Sequence, residues 1–180
     1  LIRTVYNKEM PFFSIIIPSY NRASQIVQTL HSLLEQSFKD FEIIVVDDGS
    51  TDPETIEILR QLSSGGFRVL HQKNSGVAAA RNHGIAASSA PFYIPLDSDN
   101  LLFRPYLAEG LNWLKNNPDC AVVFGDAKIF GEKEGTWCNH PLRFEEMAFE
   151  NYIDNCALIR KSAWEKVGGY DVNVPIPTRE

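Results

Sequence analysis

EIIVVDDGSTDPE, residues 42–54, reads as a buried strand that turns at once into a helix. Ile43, Ile44, Val45 and Val46 are apolar on both parities, so neither face of the strand is left for water, and β-branched side chains suit a pleated backbone. Two acids and Gly49 end the run. Ser50, Thr51 and Asp52 are candidate N-caps, Pro53 suits the first helical position, and Glu54 complements the helix's positive end. Strand followed directly by helix is the repeating unit of a parallel α/β sheet.

The same unit recurs on either side. Upstream, FFSIIIPSY (12–20) is a second apolar run, stopped by Pro18, and reads as the central strand. The helix between the two spans 24–36, with Ile26, Leu30, Leu33 and Leu34 on one stripe and Gln25, Gln28 and Glu35 toward water. Downstream, Ile56, Leu59 and Leu62 form the expected apolar stripe of the next helix, which SSGG (63–66) ends. FRVLH (67–71) is a third strand, and the Ala-rich VAAARNHGIAASSA (77–90) is a helix whose small residues let it lie close on a sheet. FYIPL (92–96) is a fourth strand. Pro105 opens a helix with Leu107, Leu111 and Leu114, and AVVF (121–124) is a fifth strand.

Beyond 125, AKIFGEKEGTW predicts a hairpin and PLRFEEMAFENYI a short amphipathic helix whose Glu145, Glu146 and Glu150 face water. CALIRKSAWEKVGGYD (156–171) predicts a strand, a helix over 161–167 and a Gly-Gly stop. The fold class is therefore α/β, Rossmann-like, with a mostly parallel sheet, flanking helices and right-handed crossovers.

A chain of 180 residues with 44% hydrophobic content buries a core of its own. Its net charge of −6 and lack of a Lys/Arg-dense run disfavour a nucleic-acid partner. No apolar run reaches the roughly 20 residues that cross a bilayer, and LIRTVYNKEM lacks the apolar core of a secretion signal, so a soluble, cytoplasmic domain is expected. Cys120, Cys138 and Cys156 form no C-x-x-C pair and read as reduced core thiols. Trp113, Trp137 and Trp164 read as packing residues, and Asn74, Gly76 and Asn82 as turn and capping residues. The start without Met and the end at TRE suggest a fragment.

Ligands of such sheets sit beyond the carboxyl ends of the strands. Three ends carry polar clusters: Ser19, Tyr20, Asn21 and Arg22; Asp47 and Asp48; and Asp97, Ser98 and Asp99. Because side chains alternate along extended backbone, Asp97 and Asp99 are expected to lean to one side and share a hard cation, Mg²⁺ or Mn²⁺. A diphosphate supplies such an ion's remaining ligands. Asp48, acceptor-only when ionised, suits a base edge or ribose, and Tyr20 a base face.

In order and spacing, SIIIPSYNR (14–22), IIVVDDGSTD (43–52), NSGVAAARNHGI (74–85), YIPLDSDN (93–100) and VGGYD (167–171) resemble the family 2 glycosyltransferases. The resemblance implies a glycosyltransferase A (GT-A) fold and inverting transfer from a nucleotide sugar, a UDP-sugar foremost, to a glycan or lipid-linked acceptor. It implies a nucleotide pocket lined by Pro18, Ser19, Tyr20 and Arg22, a base contact from Asp48, and Arg81 near the base or phosphates. Asp99 is the metal-binding member of the D-x-D motif, Asp97 holds the ribose or assists the metal, and Ser98 lies between them on the substrate side. Asn100 stands where many relatives have another Asp. The family's general base follows the VGGYD-like turn, which here points to Glu180 or the residue after it. Residues 1–180 then read as one nucleotide-sugar-binding domain cut short at its C-terminal end. Family analogy also implies bacterial surface polysaccharide or glycolipid assembly at the inner face of a membrane, with any peripheral attachment carried by missing regions.

Two other readings compete. A phospho-accepting receiver also carries an early acidic pair, but needs an Asp after its third strand and a Lys after its fifth, and FRVLH and AVVFGDA end otherwise. A module that holds nucleotide without turnover stays open, because the base then lies beyond residue 180.

Overall fold

In the computed structural model, which describes residues 10–131, 133–137, 145 and 153–173, the sheet is built outward from β1 (Phe13–Ser19). Every residue of β1 is buried, as the unbroken apolar run requires. β2 (Phe41–Asp47) lies parallel on one side, from Phe13↔Phe41 to Ser19↔Asp47, and β4 (Phe92–Pro95) parallel on the other, from Phe13↔Phe92 to Ile16↔Pro95. β3 (Arg68–His71) extends the sheet beyond β2, also in parallel. β8 (Leu158–Arg160) runs antiparallel between β4 and β5 (Val122–Val123), which makes the order β3-β2-β1-β4-β8-β5. The antiparallel insertion was not legible in the residues of 156–160. β6 (Ala127–Ile129) and β7 (Gly135–Trp137) form the expected hairpin. Apart from 145 and 153, the helix expected over 141–153 lies outside the described residues.

Five described helices cover the sheet: α1 (Ala23–Leu34), α2 (Pro53–Ser64), α3 (Val77–Ala87), α4 (Tyr106–Asn116) and α5 (Lys161–Val167). The period of two along the strands sorts them into layers. Phe13, Ile15, Ile17, Val45, Ile94 and Leu96 pack with α1, α2 and α4 through Ile26, Leu30, Leu33, Leu59, Leu107 and Leu114. Ile16, Ile44, Val46 and Tyr93 pack instead with Ala80 and Ile85 of α3, and with Trp164 and Tyr170. Each fully buried aliphatic side chain stabilises the fold by roughly 1.5–3 kcal/mol. α3 lies close on the sheet, as its composition predicts. A Cβ added to Gly84 would sit 2.4 Å from Ile16 Cγ2 and 3.0 Å from Val46 Cγ2.

Three expectations need correction. In α2, Thr55 and Leu59 are buried with Ile58 and Leu62 packed beside the core, whereas Ile56 is 48% exposed. The stripe is 55/58/59/62, a truer i, i+3, i+4, i+7 pattern than 56/59/62. Trp113 is 58% exposed on α4, so it is not a packing residue. Cys120 and Cys156 are free thiols, as expected, but only partly buried.

At the amino ends of the strands, away from the candidate ligand edge, Glu42 is a buried carboxylate. Its Oε1 accepts from Ser14 Oγ (2.6 Å), Ser89 N (2.7 Å) and Ser89 Oγ (2.8 Å), and Arg68 Nη1 lies 3.3 Å from Oε2. Burial pushes the carboxyl up, but these hydrogen bonds and Arg68 together hold it below its usual range. Glu42 thereby ties the α3–β4 connection to β1 and β2.

Candidate active site

Parallel pairing brings the carboxyl ends of β1 to β4 to one edge, and with them the three polar clusters. The first two are sewn together. Asp48 N donates to Ser19 O (2.9 Å), and Asn21 N donates to Ser50 Oγ (3.1 Å). Asn21 Oδ1 accepts from the backbone N–H groups of Thr51 and Asp52, both at 2.9 Å. Asn21 holds φ 52, the left-handed region that Asn tolerates better than most residues. Of the three candidate caps for α2 it is Asp52 that serves, accepting from Thr55 N at 2.8 Å.

Asp48 is 4% exposed and its carboxylate is aimed by three donors. Oδ1 accepts from Gln72 Nε2 (2.7 Å) and Ser75 N (2.8 Å), and Oδ2 from Gly76 N (2.9 Å). The other oxygen-bearing end of Gln72 lies 2.9 Å from His83 Nδ1, so α3 fixes which way that amide points. Gly49 (φ 75) lets the chain pass close by, since a Cβ there would meet Asn74 N at 2.7 Å. The neighbouring Asp47 accepts from Ser50 N (2.9 Å) and lies 3.1 Å from His71 Nδ1. Burial pushes its carboxyl up, but Ser50 and His71 hold it below the usual range.

The third cluster departs from the sequence reading. β4 stops at Pro95, and Asn100 N donates to Asp97 O at 3.0 Å, so DSDN is a turn, not extended backbone. The alternation that was to aim both acids one way does not apply. Asp97 faces α3 and pairs with Arg81, Nη2 to Oδ1 at 2.5 Å, with the two side chains 33% and 10% exposed. Arg81 is thus a buried cation with its counter-ion on the motif, and its Nε has no hydrogen-bond partner among the described residues. Ser98 is buried and its carbonyl accepts from Thr29 Oγ1 of α1 (2.9 Å), while Asp99 is exposed. Asp97's charge is met by Arg81, so Asp99 brings the negative charge of this turn that no cation among the described residues pairs.

Of the remaining predicted residues, Tyr20 and Arg22 are exposed at the rim. Pro18 and Ser19 are buried within β1, and Ser19 Oγ has no partner among the described residues. Glu180 lies outside the described residues. Among the described residues no three His, Cys, Asp or Glu are grouped to hold a metal. Any cation bound at this edge would therefore draw on Asp99 and Asp97, and take its other ligands from elsewhere. That suits Mg²⁺ or Mn²⁺, which keep positions for phosphate and water.

Sequence reasoning missed Gln72, Asn21's bracing role and the contacts of Asn100. Gln72 could have been found as the polar residue directly after a strand that ends on the ligand edge. Asn100 Nδ2 donates to Cys156 Sγ (3.2 Å), and Tyr106 OH donates to Cys156 O (2.6 Å), so the D-x-D turn is braced against the segment entering β8. Burial and the neighbouring Asp154 push the Cys156 thiol up, which keeps it a neutral packing group.

A mostly parallel sheet that gathers acids at its strand ends, with one buried arginine on the helix beside them, defines an α/β domain of GT-A type. The chain belongs to glycosyltransferase family 2: the model described as Glycosyl transferase family 2 matches residues 14–168. It is 30% identical over 164 residues to an uncharacterized glycosyltransferase of Haemophilus influenzae, covering 87% of this chain and 55% of that protein. With glycosyltransferase GlyG of Streptococcus pneumoniae it shares 34% identity over 127 residues, 69% of this chain and 42% of the relative. Among solved structures, Staphylococcus aureus TarS in complex with UDP-GlcNAc superposes with a TM-score of 0.72 at 22% identity, covering 88% of this chain and 48% of that one. Mannosyltransferase PcManGT from Pyrobaculum calidifontis, in complex with GDP-Man and Mn²⁺, gives 0.67 at 22% identity, covering 93% and 49%. At such identities the likeness carries the fold. The chain spans about half or less of the length of most of these proteins.

Proposed function

We propose that this domain binds a nucleoside-diphosphate sugar, a UDP-sugar foremost, along the carboxyl edge of the sheet, and that the sugar passes with inversion to a hydroxyl of a glycan or lipid-linked acceptor. One observation carries the reading. Asp48, aimed by three N–H donors, and Asp99, exposed on its turn, follow strands that flank β1 on either side. Two strand spacings, about 10 Å, separate those strands, the span of a nucleoside with its phosphates.

An ionised carboxylate offers about four acceptor sites; three of Asp48's are taken, which leaves one for an N–H of the base. Tyr20, 45% exposed, supplies a ring face for stacking, and Ser19, Arg22 and the backbone at Pro18 border the same end. Arg81 orients Asp97 and adds positive charge where the phosphates would lie. Asp99 with Asp97 would hold Mg²⁺ or Mn²⁺, as PcManGT was solved with Mn²⁺. When bound, such an ion neutralises charge on the departing diphosphate. In the transfer, Glu180 or the residue after it takes the acceptor's hydroxyl proton, and that oxygen bonds to the anomeric carbon. The bond to the diphosphate oxygen breaks on the opposite face, with its electron pair leaving on the nucleotide.

Among the described residues no helix is long and apolar enough to cross a membrane. A lipid-linked acceptor would thus be met at a membrane face through other parts of the protein. The test is calorimetry of the chain with UDP, GDP and dTDP, each with and without Mn²⁺. UDP binding that needs Mn²⁺ and is lost in Asp99→Ala is expected; metal-independent binding that survives Asp99→Ala refutes the site.

A further inference from the structure

The Gly168–Tyr170 turn is joined to the D-x-D motif through Asn82, Tyr170 and Arg81. Gly168 (φ 85) ends α5 and Gly169 (φ 89) turns the backbone again, both in the left-handed region that favours glycine. A side chain at 169 would also meet Asn82 Oδ1 at 2.8 Å. The closeness has a cause. Asn82 uses both ends of its amide: Oδ1 accepts from Tyr170 N (2.8 Å) and Trp164 Nε1 (3.0 Å), and Nδ2 donates to Tyr170 O (2.8 Å). One side chain thus satisfies both backbone groups of Tyr170.

So seated, the Tyr170 ring lies against the Arg81 guanidinium, 5.8 Å from centroid to Cζ. Arg81 is the residue next to Asn82 on α3 and donates to Asp97. With Nε unpartnered among the described residues, the guanidinium is directed by Asp97 at one end and by the ring on its face. The contacts therefore run unbroken from the turn through Tyr170 and Arg81 to Asp97.

Resting on the donor-site reading, we propose that Asn82 and Tyr170 are positioning residues for the D-x-D turn: by seating the ring against Arg81 they fix the direction of Asp97, and with it the metal-dependent grip on the diphosphate.

The test titrates UDP into the chain in Mn²⁺ and again in EDTA, for wild type, Asn82→Ala, Tyr170→Leu and Tyr170→Phe. The gain in affinity conferred by Mn²⁺ is expected to fall roughly tenfold or more in Asn82→Ala and Tyr170→Leu, the usual cost of removing an outer partner of a metal ligand. Affinity in EDTA stays the same, and Tyr170→Phe, which keeps the ring, retains most of the gain. A merely structural clamp lowers the melting temperature of these variants but leaves the Mn²⁺ gain of the folded protein intact, and that result overturns the proposal. Equal loss in Mn²⁺ and EDTA overturns it too. If wild type shows no Mn²⁺ gain, the donor-site reading itself falls. The coupling is then read without ligand, from urea unfolding of Tyr170→Leu, Asp97→Ala and the double variant: additive effects refute it, and non-additive ones support it.

Discussion

Gly84→Ala tests how closely α3 is held to the sheet, and through that how Arg81 is placed. On helix propensity alone the change stabilises, since Ala exceeds Gly by about 1 kcal/mol in a helix interior. The tertiary structure opposes it. The new methyl would lie 2.4 Å from Ile16 Cγ2 and 3.0 Å from Val46 Cγ2, and both partners belong to fully buried residues on adjacent strands. Ordinary carbon contacts begin near 3.5 Å, so α3 must lift by about 1 Å or the strands must shift. Overpacking of this kind costs about 1–3 kcal/mol. Neither partner is the free end of a flexible side chain, so the upper half of that range applies and a net loss of about 1–2 kcal/mol is expected after the propensity gain. Urea unfolding should show a lower midpoint with an unchanged slope. Lifting α3 also draws Arg81 away from Asp97, so Mn²⁺-dependent UDP affinity should fall in the folded variant. The double variant Gly84→Ala/Ile16→Ala should be less destabilised than the sum of its parts, because the methyl enters the space that Ile16 vacates. A midpoint that rises in Gly84→Ala, or strict additivity with Ile16→Ala, would refute the close approach.

Asp97→Asn leaves the buried Arg81 without its counter-charge and should cost about 1–3 kcal/mol in urea unfolding, whereas Asp99→Ala, at an exposed turn position, should stay within about 0.5 kcal/mol of wild type. Equal stability losses would show that Arg81 does not depend on Asp97. Glu42 and Asp47 have folded-state pKa values below their unfolded ones, so the unfolded chain binds more protons as acid is added. Their stabilisation is complete above the unfolded values, 4.5 and 3.8, and is lost as pH falls through the lower folded ones. Unfolding midpoints at pH 7, 5 and 3 should fall mainly between the last two, and Glu42→Gln should flatten that fall; an unchanged profile counts against the buried network. Asn21→Gly and Asn21→Ala both lose the bonds to Thr51 and Asp52, but only Ala adds about 1 kcal/mol of backbone strain at φ 52. Gly should therefore be the more stable of the two by thermal melting, and the reverse order would contradict the left-handed conformation.

The central place of β1, the close-lying α3, the hairpin at 127–137 and the helix at 161–167 all follow from local patterns. Apolar runs without alternation, small-residue helices and Gly/Pro punctuation report burial and turns directly. The errors arose where a pattern had two solutions. In α2, Ile56 is as apolar as Ile58, and only the sheet beneath determines which of them is covered. Trp113 looked like core because large aromatics usually are, yet no element in the described residues covers that side of α4 enough to bury it.

For the site, residue types at strand ends are enough to nominate Asp48, Asp97 and Asp99, because parallel pairing sends every such end to one edge, whereas Arg81, on α3, follows only from the family resemblance of the stretch that carries it. The partners of those residues were not readable. Ionic pairing of Asp97 with Arg81, 16 positions apart, or the grip of Asn82 on Tyr170, 88 positions apart, depends on where two helices settle against the sheet. Composition and periodicity encode which residues leave water, and that is a local, one-dimensional property. Which carboxylate is neutralised and which stays free is a matter of distances between segments remote in sequence, and those distances exist only once the layers have packed.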